Sequence, residues 1–163
     1  MPLIGLLSDT HSCFDDKLRE FFKDVDEIWH AGDFGNVEAS DAISAFKPLK
    51  GVYGNCDGQD IRLTHPYIQL FEMERLKFLM MHIGGHPGRY DYRSQQLIDA
   101  HRPDVFICGH SHILRIINDK KRNLIYINPG AAGLQGFHPV RTAVRFKVED
   151  GALHDMEVGE WKF

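Results

Sequence analysis

Short apolar runs that stop abruptly at polar residues dominate the first two-thirds of the chain. Ile4-Gly5-Leu6-Leu7 runs into Ser8-Asp9, Phe78-Leu79-Met80-Met81 into His82, and Val105-Phe106-Ile107-Cys108 into Gly109-His110. A continuous apolar run bounded by turn residues reads as a strand covered on both faces. The pattern predicts strands over 3–8, 27–30, 49–53 and 105–108. Apolar residues at helical spacing predict helices over 14–22, 37–46 and 92–101, the last two stopped by Lys47-Pro48 and Arg102-Pro103. Three hairpins are predicted. Segments 67–72 and 76–81 pair across Met73-Glu74-Arg75, and 113–118 and 124–128 flank a charged turn at 119–123. Segments 140–148 and 152–158 flank Glu149-Asp150-Gly151, where Asp-Gly is a strong two-residue turn signal. The longest polar interruptions, 54–64 and 84–91, are candidates for substrate contact.

Strand and helix alternate first, and strands in hairpins follow. That order predicts an α/β fold with more than one sheet. A length of 163 residues, with 43% hydrophobic content, suits one domain over 1–163 and excludes a disordered chain. The net charge of −4 argues against stable binding to nucleic acid or an anionic membrane. It does not exclude a phosphate substrate, because bound cations reverse the local sign. The three cysteines, Cys13, Cys56 and Cys108, imply no disulfide framework and fit a reducing, cytoplasmic setting. The first apolar run is short, lacks a basic leader and meets Asp9, so it reads as a strand and not a signal peptide.

Five segments end in groups able to bind a metal: Asp9-Thr10-His11, Gly32-Asp33, Gly54-Asn55-Cys56-Asp57, His82 and Gly109-His110-Ser111-His112. Several follow an apolar run, which places their ligands along one edge of a sheet, where open α/β sheets bind ligands. Imidazole, carboxylate and amide donors without thiolate suit a divalent transition metal such as Mn, Fe, Ni or Zn. Seven donor residues are too many for one tetrahedral ion, so two metals sharing a carboxylate is the economical reading.

In this order the five segments resemble the signature of the calcineurin-like metallophosphoesterases, and the short length resembles the small bacterial and archaeal phosphodiesterase branch. The resemblance extends to Asn128-Pro129-Gly130-Ala131, which reads as a structural turn. It implies two facing mixed β-sheets with helices outside, a four-layer αββα sandwich. It implies that Asp9, His11 and His112 bind one ion, that Asn55, His82 and His110 bind a second, and that Asp33 bridges them. It also implies hydrolysis of a small phosphate ester, most simply a diester, by water or hydroxide bridging two ions, with Mn²⁺ the leading choice and Ni²⁺, Fe²⁺ or Zn²⁺ the others. Asn55, Cys56, Asp57 and His110 are the catalytic candidates. Two other readings are a phosphomonoesterase and a non-catalytic interaction scaffold like the retromer subunit of this fold. A homo-oligomer stays open.

His110 and His112 can face different ions only if their loop is not a regular strand. His82 is preferred to His86 as a ligand because it directly follows an apolar run, as the other ligands do. Cys56 stands where many relatives carry histidine, and it either packs or faces the leaving group. Without a cationic donor there, poor leaving groups should react slowly. Asp57 is expected to orient a ligand, and His30 is expected to be a core histidine with its hydrogen bonds met. Surface positions are expected for His65, His101, His138 and His154, and for Arg89, Arg115 and Arg141.

Overall fold

The computed structural model describes residues 1–163. In chain order, the first half comprises β1 Leu3–Leu7, α1 Asp16–Phe21, β2 Glu27–His30, α2 Val37–Phe46, β3 Leu49–Gly51, α3 Gln59–Thr64, β4 Ile68–Met73 and β5 Leu76–Met81. There follow β6 Gly85–His86, β7 Arg89–Tyr90, α4 Tyr92–His101, β8 Val105–Ile107, β9 Leu114–Asp119, β10 Leu124–Pro129, β11 Val140–Glu149 and β12 Ala152–Lys162.

Side-chain alternation along these strands builds the layers. Ile4 and Leu6 of β1 point into one apolar cluster with Trp29, Phe78, Met80, Val105, Ile107 and Ile127, which come from both five-stranded sheets. Leu7 points the other way, onto Leu18, Phe22 and Ile43 of the helical side. On the second sheet, Leu79, Met81, Phe106 and Tyr126 face Ile98 of α4. The result is helices, sheet, sheet, helix, as the resemblance implied. The first sheet has order β12-β11-β1-β2-β3 and the second β4-β5-β8-β10-β9, both mixed. Both central strands are covered on two faces, which explains their continuous apolar runs.

Capping residues set three helix starts: the side chains of Asp15, Asn36 and Asp91 accept from Leu18 N, Ala39 N and Arg93 N. The segment 54–64, expected to be loop, contains α3. Its N-cap is Gly58, which makes no side-chain cap bond, and it buries only Ile61. The segment 84–91 contains the small β6–β7 pair. At one end of the sandwich, tight turns join β4 to β5 and β11 to β12. The two tips touch, with Gly151 N donating to Glu74 O at 2.7 Å and Arg75 Nη2 lying 3.9 Å from Asp150 Oδ1. No helix is long and apolar enough to cross a membrane.

Three residues expected on the surface are buried. His65 shares a 3.0 Å hydrogen bond with Ser40 Oγ. His138 Nε2 lies 2.9 Å from Gly133 O. Arg141 donates to both carboxylate oxygens of Asp15 and to Ala132 O. Ser40 and Asp15 lie on distant segments and Gly133 in the same loop as His138, and no apolar periodicity marked any of the three positions as buried.

Candidate metal centre

The ligand loops leave the ends of β1, β2, β3, β5 and β8, opposite the touching tips. They do not continue as strands. Asp9, His11, Asp33, His110 and His112 have φ of 53°, 43°, 61°, 71° and 64°. Non-glycine residues rarely adopt this left-handed region, and it marks functional sites when other contacts enforce it. Here hydrogen bonds enforce it. Ser8 Oγ donates to Asp9 Oδ2 at 2.6 Å, and His110 N donates to the same oxygen at 3.1 Å. The loops also pack on one another. A Cβ at Gly109 would overlap Ser8 Oγ, and one at Gly54 would overlap Asp33 Oδ1.

Asp57 organises the second loop pair. Its carboxylate accepts from Asp33 N at 3.0 Å, Gly54 N at 2.8 Å and Gly35 N at 3.2 Å. Asp33 Oδ1 in turn accepts from Cys56 N at 2.9 Å. Asp33 Oδ2 is left facing His82 Nε2 at 3.2 Å and His11 Nε2 at 3.7 Å. Asp9 Oδ1 lies 3.2 Å from His112 Nε2 and 3.8 Å from both His11 Nε2 and His82 Nε2.

Two sets of donors result: Asp9, His11 and His112, and Asp33, His82 and His110. Each draws on loops from both sheets. His110 and His112 fall in different sets because their loop is irregular. Asn55 joins the second set, with Oδ1 3.1 Å from His110 Nδ1. His82 is buried, and its Nδ1–H donates to Ala31 O at 2.8 Å, which turns Nε2 toward the carboxylates. His86 is not among the converging residues, and its Nδ1 lies 3.1 Å from Pro87 O. His30 is buried, bonded to Thr10 Oγ1 and Gly32 N, and stacked on Phe34, so it is a core histidine with its bonds met.

A fit to cations rests on two orphaned atoms. Asp9 Oδ1 and His82 Nε2 are fully buried, and although they lie 3.2 Å from His112 Nε2 and Asp33 Oδ2 respectively, neither contact has the alignment of a hydrogen bond. Stranded polar atoms are destabilising unless something coordinates them. Carboxylate and imidazole donors without thiolate match a divalent transition metal. The charges agree. Burial opposes ionisation of Asp33, but His82, the Cys56 N–H and His11 hold its carboxyl well below the usual range. Burial likewise opposes charge on His82, and Asp33 and Asp9 outweigh it and raise its pKa. Burial raises the thiols of Cys56 and Cys13, so neither is poised as a thiolate.

Some supporting residues were not anticipated. His138 packs edge-on against His112 with ring centroids 5.0 Å apart, and its Nδ1 is a third orphaned atom. Asn128 Nδ2 donates to Gly109 O at 3.0 Å and to Ser111 Oγ at 3.1 Å, which fixes the last ligand loop. The Asn-Pro-Gly motif carried a signal for Asn128; nothing local marked His138.

The calcineurin-like phosphoesterase superfamily domain profile matches residues 3–151. The chain belongs to this superfamily. A probable metallophosphoesterase of Mycoplasma pneumoniae is 32% identical over 139 residues, covering 80% of this chain and 79% of that one. One from Methanocaldococcus jannaschii is 29% identical over 159 residues, covering 91% and 77%. Among solved structures, Chaetomium thermophilum Vps29 superposes with TM-score 0.76 at 15% identity, covering 99% of each chain. A Thermotoga maritima protein gives 0.72 at 20%, covering 98% and 99%. The structural likenesses show the metallophosphoesterase fold. Membership in the superfamily implies divalent metal ions, and the two donor sets are this chain's candidate places for them.

Proposed function

We propose that this metallophosphoesterase is a phosphodiesterase that holds two divalent transition-metal ions, with Mn²⁺ the first choice. The observation that carries the reading is the pair of orphaned buried atoms, Asp9 Oδ1 and His82 Nε2, within two adjoining donor sets. Asp9, His11 and His112 would hold one ion, and Asn55, His82 and His110 the other, with Asp33 between them. Bound there, the ions would supply an activated water and positive charge opposite the phosphoryl oxygens.

The chain's own residues prepare the site. Asp57 and the Cys56 N–H aim the Asp33 carboxylate, and Ser8 and His110 N aim that of Asp9. The Ala31 carbonyl fixes the His82 tautomer. Asn55 adds a neutral oxygen, which limits negative charge. Cys56 is exposed, with its N–H on the Asp33 carboxylate, and offers no cationic proton donor, so the reading favours esters with good leaving groups.

The test is metal analysis of purified protein, then turnover of mono- and diesters sharing one aryl leaving group, with Mn²⁺ or Ni²⁺ added and with chelator. Two ions per chain and chelator-sensitive, diester-preferring turnover are expected. Monoester preference would make it a phosphomonoesterase. Full metal loading with no turnover would favour an interaction scaffold.

A further inference from the structure

A cavity of about 470 Å³ adjoins the candidate centre and shares His110 with it. The chain's net charge is −4, yet this cavity is lined by Arg89 from β7 and Arg115 from β9. Neither guanidinium makes an ion pair or a hydrogen bond within the chain, whereas Arg122, Arg141 and Arg145 are paired with Asp99, Asp15 and Glu157. The one acidic lining residue, Asp91, caps α4 through Arg93 N at 3.3 Å. The wall that carries Arg89 is anchored. The Tyr126 hydroxyl donates to Gly85 O, and Ser94 Oγ donates to Gly84 O at 2.7 Å. Ile83 and Ile113 add apolar surface to the lining.

We propose that this cavity receives the organic arm of the substrate and selects diesters whose arm carries a second phosphate. The proposal rests on the phosphodiesterase reading. The volume lies in the range that holds a nucleotide-sized group. A phosphomonoester carries close to two negative charges at neutral pH, while a carboxylate carries one. Two unpaired guanidinium forks match the phosphate in both charge and geometry.

The test uses the full-length, metal-loaded protein and two p-nitrophenyl esters of thymidine 5′-phosphate, one with and one without a 3′-phosphate. Wild type should prefer the 3′-phosphorylated ester by about tenfold or more in kcat/KM. Arg89→Gln and Arg115→Gln should each pull that ratio toward one. A wild-type ratio of one, or a ratio unchanged in both variants, overturns the proposal while leaving the phosphodiesterase reading intact. If neither ester is hydrolysed at full metal loading, that reading falls, and calorimetry decides the cavity separately. Thymidine 3′,5′-bisphosphate should then bind wild type more tightly than thymidine 5′-phosphate does, with the advantage lost in both variants. Equal binding of the two nucleotides overturns the proposal.

Discussion

At the turn end of the sandwich, Glu74 and Arg75 have φ of 48° and 68°, and Asp150 and Gly151 have 48° and 77°. At the ligand end, Asp9, His11, Asp33, His110 and His112 have φ between 43° and 71°. The backbone angle is the same, but its origin differs. Two successive left-handed residues make the hairpin turn whose twist matches the strands, and those side chains are exposed. At the ligand end only His11 shares that geometry, being followed by left-handed Ser12 in a turn closed by Cys13 N donating to Thr10 O at 2.9 Å; Asp9, His110 and His112 stand outside any such pair, and Asp9 and Asp33 are buried. There the conformation is held by hydrogen bonds from other loops, and its product is a set of converging donor atoms. Left-handed residues at the turns are exchangeable; at the ligand end the side chain is what the strain serves.

Substitutions at the two ends should separate these cases. The largest effect is expected for Asp33→Ala, which removes the carboxylate between the donor sets. Elemental analysis should show both ions lost, and diester turnover should fall by about 10²–10³-fold or more. Asp9→Ala should mainly empty the first set. Retention of two ions by Asp33→Ala would refute a shared ligand.

Asp57→Asn disturbs the support and spares the donors. Metal affinity, read by competition with a chelator, should weaken about 10–100-fold. The chelated protein should lose about 1–3 kcal/mol in urea, because one of the backbone donors on Asp57 loses its acceptor. Unchanged metal affinity would mean that the loop holds its shape without this carboxylate.

A smaller and more selective change is expected from Cys56→His. Turnover of alkyl diesters should rise several-fold relative to aryl diesters, with a pH dependence near an imidazole pKa of about 6.5. Equal changes on both would make Cys56 a packing residue, provided metal content is unchanged.

The smallest effect belongs to the turn end. Replacing Glu74-Arg75 by Asn-Gly should leave turnover unchanged and stabilise the fold by up to about 1 kcal/mol, read by thermal unfolding. The exposed Arg75–Asp150 pair that is lost contributes little. A clear loss of stability would show that contact between the tips matters more than the angle.

Much of this was legible in the sequence. The strands under the ligands are covered on both faces, so they appear as unbroken apolar runs, and α2 and α4 match their predicted bounds. The five ligand segments were legible because each is a polar stop after such a run or a Gly-rich loop. What was not legible depends on distant partners. Arg141 is buried because Asp15, 126 positions away, receives it. α3 was hidden because a glycine starts it and one side chain anchors it. β12 runs past the predicted 158 to Lys162 because it pairs with β11 along an outer edge, where exposed residues blur the apolar pattern. The left-handed angles of the ligand residues fall on Asp and His, which tolerate that region better than most types, but the preference is too weak to single those positions out.

Each donor set takes residues from both sheets, and that division has a mechanical consequence. The far end is joined by the touching hairpin tips and the near end by the His110 N–Asp9 and His82–Ala31 hydrogen bonds, so cations at the near end would add further links across the same seam of the sandwich. Closing a link between residues as far apart as Asp9 and His112 removes many open arrangements of the chain. A ligand that binds only the closed form raises the free energy of opening in proportion to the logarithm of its concentration. Chelation should therefore loosen the molecule unevenly, with amide hydrogen exchange accelerating first in the loops after β1, β5 and β8 and last at the hairpin tips.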